Sequence, residues 1–303
     1  FPFGSFHGTR VKEMVYRPDW TDGLRLEYTN RLFDLLAQLT PRDVAGSVST
    51  LPGSFKDFVN SREQEKRIRE NLWSCVEHIS RLSERTGRDL HLGLEPEPLC
   101  WLENSAETIG FFEQMRDEHP GDPRLDRHLG VNYDACHFAI EFEQARDALA
   151  QFQQQHIKLS KVHISNALRL RPDPASLKQL AAFSDEVYLH QVIVRRGDGT
   201  LTRFKDLGEA LSSPLAHGAA PADEWRVHFH IPLHCNPPGG FKSTADHVTE
   251  LLELLAGTPE RCSHFEMETY TWAVLPEPLR AKDVCDQLVA EYQWTLARIN
   301  GAR

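Results

Sequence analysis

Apolar positions along the chain follow two alternating rhythms. Tyr28, Leu32, Leu35, Leu36 and Leu39 fall at helical spacing and predict an amphipathic helix over Leu24 to Leu39. Val44 to Leu51, running into Pro52 and Gly53, then reads as a buried strand and turn. Ile68, Leu72, Val76, Ile79 and Leu82 predict a long helix ending near Gly87, and Leu90 to Glu95 is a short apolar strand stopped by Pro96. The cycle repeats with a helix over Ala106 to Glu118, started at Ser105 and stopped by Pro120, and a strand at Gly130 carried by Leu129, Val131 and Tyr133. A helix over Phe142 to Gln155, a strand over Lys161 to Ser165 and a helix opened by Asp173 and Pro174 follow.

The rhythm then breaks. Glu186 to Arg195 and Thr200 to Leu207 read as two strands joined by Arg196, Gly197, Asp198 and Gly199, which is hairpin turn chemistry, so an insertion is expected at about 186–207. The alternation resumes with a strand over Trp225 to Leu233, a helix over Ser243 to Leu255 capped by Ser243 and Asp246, a strand over Ser263 to Thr269 and a closing helix over Pro278 to Ile299. Strands alternating with helices predict a parallel sheet with helices outside. A single (β/α)8 TIM-barrel domain over residues 1–303 is the expected α/β architecture, with an open doubly wound sheet as the alternative. The phosphate loops G-x-G-x-x-G and G-x-x-x-x-G-K-[ST] are both absent. The opening FPFGSFHG has no initiating Met and looks like the tail of a strand, so one or more N-terminal βα units are expected upstream.

Composition narrows the function classes. A chain of 303 residues, 40% hydrophobic and without a Pro/Gly/Ser linker, can bury a large core. A net charge of -10 supplies no basic field for a polyanion, so nucleic acid is not an expected partner. The six cysteines form no C-x-x-C pair, and reduced thiols in the cytoplasm are the simple expectation. No apolar run approaches the ~20 residues a bilayer span needs, and no signal peptide opens the chain, so membrane insertion is not expected. Histidine is abundant, at 15 residues, and many lie inside short apolar runs, a hint of metal chemistry.

The chemistry concentrates where strands give way to helices. Asp134 and His137, three residues apart, can converge on one metal ion; alternatively Asp134 caps the next helix and His137 packs beside it. Glu95, Asp134 and His163 each stand near the carboxyl end of a strand, and Glu266 and Glu268 lie in the last one. In a barrel these ends meet at one mouth, and three carboxylates with one imidazole suit Mn²⁺, Mg²⁺, Co²⁺ or Zn²⁺. On a strand His228 and His230 share one face with Phe229 opposite, which leaves them as ligands, substrate contacts or hydrogen-bonded core histidines. His7 and His234 fall in loops near the expected mouth, and Tyr270 and Trp272 can either stack on a substrate or pack in the core.

The runs LEP at residues 94–96, YDACH at 133–137, VHIS at 162–165 and MET at 267–269 resemble the xylose-isomerase-like TIM barrels. That superfamily holds sugar and sugar-phosphate isomerases and epimerases and the endonuclease IV class of repair enzymes. NYDACHFA, VHISNAL, FHIPLH and METYTWAVLP make the chain similar, more narrowly, to the metabolite-traffic family of the Ebo gene cluster. The resemblance implies a divalent metal on Glu95, Asp134, His163 and Glu268, with Glu95 and Glu268 also exchanging the substrate proton through an enediolate. It implies His137 as a further ligand or substrate contact. His228, His230, His7 and Trp272 are candidate substrate contacts by their position, as is Glu97, which could also replace Glu95 as a ligand. The expected partner is a carbohydrate-like small molecule: a sugar, a sugar phosphate or a cyclitol-like metabolite. A homo-oligomer stays open, as do two rival readings: metal-dependent phosphoester hydrolysis, and binding and hand-over of a metabolite without turnover. Two departures stand out. Glu95-Pro96-Glu97-Pro98 places a second carboxylate where the metal barrels commonly carry Glu-Asn, and the D-x-H pair of the repair enzymes is missing, its nearest analogue being His228-Phe229-His230.

Overall fold

The computed structural model describes residues 3, 11–184, 188–217, 222–237, 239–268, 275 and 283–301. Their strands are β1 (Gly46–Thr50), β2 (Leu90–Leu94), β3 (Leu129–Asp134), β4 (Lys158–Ile164), β5 (Leu168–Leu170), β6 (Val192–Arg196), β7 (Leu201–Phe204), β8 (Ala222–Val227), β9 (Lys242–Ser243) and β10 (Phe265–Met267). The helices are α1 (Gly23–Leu39), α2 (Arg62–Thr86), α3 (Ser105–Glu118), α4 (Pro123–His128), α5 (Ala135–Ile140), α6 (Ala145–Gln154), α7 (Pro174–Leu180), α8 (Leu207–Ser212), α9 (Ala245–Ala256) and α10 (Val284–Gly301).

Local chemistry explains the ends of these elements. Ser61 caps α2 by accepting from the Gln64 amide, and Gly87, at a left-handed φ of 68°, ends it. Between them Ile68, Leu72, Val76 and Ile79 form a fully buried stripe. Asp173 and Ser176 make a reciprocal capping box with Pro174 at the first position of α7.

Two sheets result. The first is parallel, in the order β1-β2-β3-β4-β10, and the second antiparallel, in the order β7-β6-β8-β5-β9. Helices cover the outer side of the parallel sheet, where Leu92, Leu94, Val131 and Val162 join Phe33, Ile68, Leu72 and Phe152 in one buried cluster. The sheet curls until its edges meet: Ser47 Oγ of β1 lies 2.7 Å from Nδ1 of His264, next to β10. Gly130 lets the strands approach inside the curl, since a Cβ there would lie 2.4 Å from the Lys158 carbonyl oxygen and 2.6 Å from Ser160 Oγ.

The structure differs from the sequence reading in several places. The described residues form a curled sheet of five parallel strands and show no closed eight-stranded barrel. The hairpin is not an isolated insertion: β6 and β7 belong to a five-stranded antiparallel sheet with its own core of Leu168, Val192, Trp225, Val227 and Phe229. Trp225 to Leu233 is not a barrel strand, because β8 ends at Val227 and runs antiparallel to both β5 and β6. Only Ser165, Asn166 and Ala167 separate β4 from β5, far too few for the crossover a parallel neighbour requires. Ser243 and Asp246 do not cap α9, which starts behind Thr244; Ser243 is in β9, and Asp246 pairs with Arg169 at 2.9 Å. Phe142 takes a left-handed φ of 61°, so α6 starts at Ala145. Most of FPFG and residues 185–187, 269–274 and 276–282 lie outside the described residues. Among the described residues no helix is long and apolar enough to cross a membrane.

Gly130→Ala should cost on the order of 1–3 kcal/mol in urea unfolding, because the added methyl meets rigid backbone. Buried Glu291 of α10 supplies the second prediction. Its Oε1 accepts from the Leu233 amide at 3.1 Å, its Oε2 has no hydrogen-bond partner among the described residues, and burial raises its pKa to about 7. Folding therefore favours the protonated acid: this contribution is present below the ordinary carboxylate range and is lost as pH rises through about 7. Glu291→Gln should leave Tm at pH 4 nearly unchanged and raise stability at pH 8 by up to about 3 kcal/mol over wild type.

Candidate metal centre

Side chains along a strand alternate between faces, and here one face is polar. Leu92 and Leu94, Val131 and Tyr133, and Val162 and Ile164 face the helices, while Glu95, Asn132, Asp134, Lys161 and His163 turn to the concave side. Register levels them: Asp134 of β3 is paired with His163 of β4, which is paired with Glu266 of β10.

The four predicted ligands come together. His163 Nδ1 lies 3.0 Å from Glu95 Oε1, 3.3 Å from Glu268 Oε2 and 3.6 Å from Asp134 Oδ2. One donor atom from each of the four residues falls within 4.8 Å of all the others. Asp134 caps α5: Oδ1 accepts from the His137 amide at 3.0 Å and also from the Ser165 hydroxyl at 2.7 Å, while Oδ2 faces His163. Asp134 Oδ2 and Glu268 Oε2 are buried oxygens with no hydrogen bond among the described residues. Ser49 donates to Glu95 Oε2 at 2.8 Å. Orphaned carboxyl oxygens converging beside an imidazole fit a hard to borderline divalent cation.

The electrostatics separate the two glutamates. Burial alone would raise Glu95, but His163 outweighs it and the carboxyl falls to about 2. Burial with the nearby Asp134 carboxylate pushes Glu268 up to about 8, His163 offsetting only part of the rise. Burial opposes a charge on His163, yet Glu95 and Glu268 hold its pKa well above the usual imidazole value. Glu266, half exposed, pairs with Lys161 at 2.6 Å and lies 3.7 Å from His163 Nε2. A cavity of about 480 Å³ opens onto His163, Glu266 and Glu268, walled on its far side by leucines of α1.

A second group adjoins the first. His137 Nε2 and His228 Nε2 are 3.2 Å apart, and His228 Nε2 and His230 Nε2 are 3.3 Å apart. All three rings are buried. The alternation that aims His228 and His230 here persists beyond the end of β8, with Phe229 and Ile231 entering the core of the antiparallel sheet. Burial lowers His228 well below, and His230 to about 4, whereas for His137 the surrounding carboxylates, led by Asp134 and Glu97, overcome burial and raise it. Glu97, raised by burial, accepts from Tyr16 Oη at 2.6 Å and from Gln191 Nε2 at 3.2 Å.

No family model matches the chain, and no curated protein matches it. Similar solved structures include L-ribulose 3-epimerase, at 18% identity and a TM-score of 0.36 over 48% of this chain and 46% of that one. Another is 3-keto-D-glucoside 4-epimerase from E. coli in its apo form, at 19% identity and a TM-score of 0.32 over 46% and 49%. The chain thus spans about half the length of either.

Of the residues singled out in the sequence, Glu95, Asp134, His163 and Glu268 form the first group, and His137, His228, His230 and Glu97 the second. His234 is half-buried and belongs to neither, while His7, Tyr270 and Trp272 lie outside the described residues. Sequence reasoning missed Ser49, Asn132, Lys161, Ser165, Gln191 and Tyr16. Asn132, Lys161 and Ser165 stand two residues from a ligand on the same strand or its extension, so the period of two would have found them. Gln191 and Tyr16 carry no local signal.

Ser165→Ala removes the hydrogen bond that orients Asp134 without touching any other member of the first group. It should weaken divalent-metal binding about tenfold while the far-UV spectrum stays unchanged, as metal titration of the stripped protein would show.

Proposed function

We propose that this chain is a cytoplasmic, metal-dependent isomerase or epimerase that moves one proton on a sugar, sugar phosphate or cyclitol-like metabolite. What carries the reading is a single arrangement: the Glu95 and Glu268 carboxyl groups approach the same imidazole nitrogen of His163 from two sides, at 3.0 and 3.3 Å. A site that must accept a proton on one side and return it on the other needs such a pair.

A divalent ion held by Glu95, Asp134, His163 and Glu268, of the Mn²⁺, Mg²⁺, Co²⁺ or Zn²⁺ class, would supply Lewis-acid polarisation of a substrate carbonyl. The remaining work falls to the protein. Ser49 fixes the Glu95 carboxylate by donating to the oxygen that does not face His163. Ser165 and the α5 amide do the same for Asp134. Lys161 and Glu266 present a cation and an anion toward the cavity, a pair able to orient substrate hydroxyl groups. Glu95 and Asp134 are buried away from bulk water, while Glu268 reaches the cavity. In this reading the curled sheet belongs to a TIM barrel of the xylose-isomerase-like kind, and the resemblance to the metabolite-traffic family names the biological setting.

The test is hydrogen exchange in heavy water, with the metal-loaded protein and a panel of aldoses, ketoses, their phosphates and inositols. Wild type should incorporate deuterium at the carbon next to a carbonyl of one panel member, and Glu268→Gln should exchange at least about 100-fold more slowly while still binding it. Tight binding of a compound that never exchanges would instead support the carrier reading, and release of phosphate from an ester would support the hydrolase.

A further inference from the structure

We infer that the substrate is an amphiphile: a hydroxy-carbonyl head seated beside His163 and Glu268, carrying an apolar chain that lies along the leucines of α1. The inference rests on the isomerase reading above and narrows its substrate class to compounds with such a chain. It starts from the helix. α1 buries Phe33 and Ala37 in the core, and that stripe attaches it to the rest of the molecule. Leu32, Leu35, Leu36 and Leu39 form a second stripe beside the first, at i, i+3, i+4 and i+7. Charged residues take the remaining side, where Glu27 pairs with Arg31 and Asp34 with His78 of α2.

The second stripe forms one wall of the cavity of about 480 Å³. Leu35 and Leu39 stay 55% and 79% exposed. Single exposed leucines are ordinary on a protein surface, but four in helical register along one cavity wall make a continuous apolar surface. The wall is seated on the sheet, since a Cβ at Gly46 of β1 would lie 3.0 Å from Leu36 Cδ2. The rest of the lining has the opposite chemistry. Lys161, His163, Glu266 and Glu268 all reach the same space, with Lys161 and Glu266 paired at 2.6 Å. The cavity is therefore divided: charged where it meets the candidate metal centre, hydrocarbon along α1.

A bare sugar or inositol matches only one of these halves. Its hydroxyl groups find partners among the charged residues, but against the leucines they lose water and gain no hydrogen bond. An apolar chain reverses that balance by removing leucine side chains from water. The volume lies in the range that holds drug-sized ligands, so head and chain fit together. Because both halves share one cavity, a chain attached to a bound head reaches the leucines without leaving it.

The test uses alkyl hydroxamates, whose head chelates divalent ions and copies the planar enediolate while chain length is the only variable. Calorimetry would compare aceto-, butano- and hexanohydroxamate on the full chain loaded with Co²⁺. With methylenes covered from one side, affinity should rise about fourfold for every two added. Leu35→Ser combined with Leu39→Ser should flatten the series. Leu24→Ser, at a residue 54% exposed on the same helix but outside the cavity lining, should keep it. Acetohydroxamate binding with a flat wild-type series would overturn the amphiphile and leave the isomerase reading in place. Failure of every hydroxamate to bind would remove both. Equal chain-length dependence in all three proteins would place the chain elsewhere and overturn the inference. So would a flat series accompanied by a wild-type dimer that the double variant disperses, since that outcome assigns the leucines to a second copy of the chain.

Discussion

Charge buried on the concave side of a curled sheet is the constraint on which the rest of this molecule depends. Glu95 and Asp134 are within 1% of full burial, and His163 is 7% exposed. An isolated ion at such depth costs several kcal/mol, so each must find a partner or a cation. The sheet meets that demand through register, since parallel pairing sets Asp134, His163 and Glu266 at one level and curl brings β2 and β10 toward each other across it. Close approach of this kind requires small residues inside, and Gly93 and Gly130 provide them.

The antiparallel sheet completes what the parallel sheet begins. It contributes Gln191 at the start of β6 and His228 and His230 just after β8, all directed onto the carboxyl ends of the parallel strands. It is fastened there by Arg203 of β7, which ion-pairs with Glu103 at 2.8 Å and with Glu141. Burial raises Glu141 to about 8, and Arg203 offsets part of that rise. Phe142 lies under two further cations of the same sheet, Arg195 at 4.6 Å and Arg226 at 4.0 Å. Glu141 and Phe142 follow directly on α5, the helix that Asp134 caps, so the fastening and the site share one short segment.

The split between Glu95 and Glu268 has a structural origin. Glu95 sits deep, with Ser49 and His163 both satisfying its oxygens. Glu268 stands at the end of the edge strand, 27% exposed at its side chain, faces the negative Asp134 and has less to compensate it. Two chemically identical groups therefore acquire different proton affinities from position alone.

The sequence by itself determined the parallel strands and the longer helices between them, because apolar period, caps and Pro/Gly stops are local properties: Gly87 ends α2 and Asp173 caps α7 just where the residues predict. It also nominated Glu95, Asp134, His163 and Glu268, since polar residues at strand ends recur at one place in each unit. Only the tertiary structure decided that Trp225 to Val227 runs antiparallel, that His228 and His230 face His137, and that Gln191 and Tyr16 orient them. Strand direction depends on the length of the connection and on which edge is available, and a hydrogen bond spanning 175 residues, as between Gln191 and Tyr16, leaves no trace in local pattern.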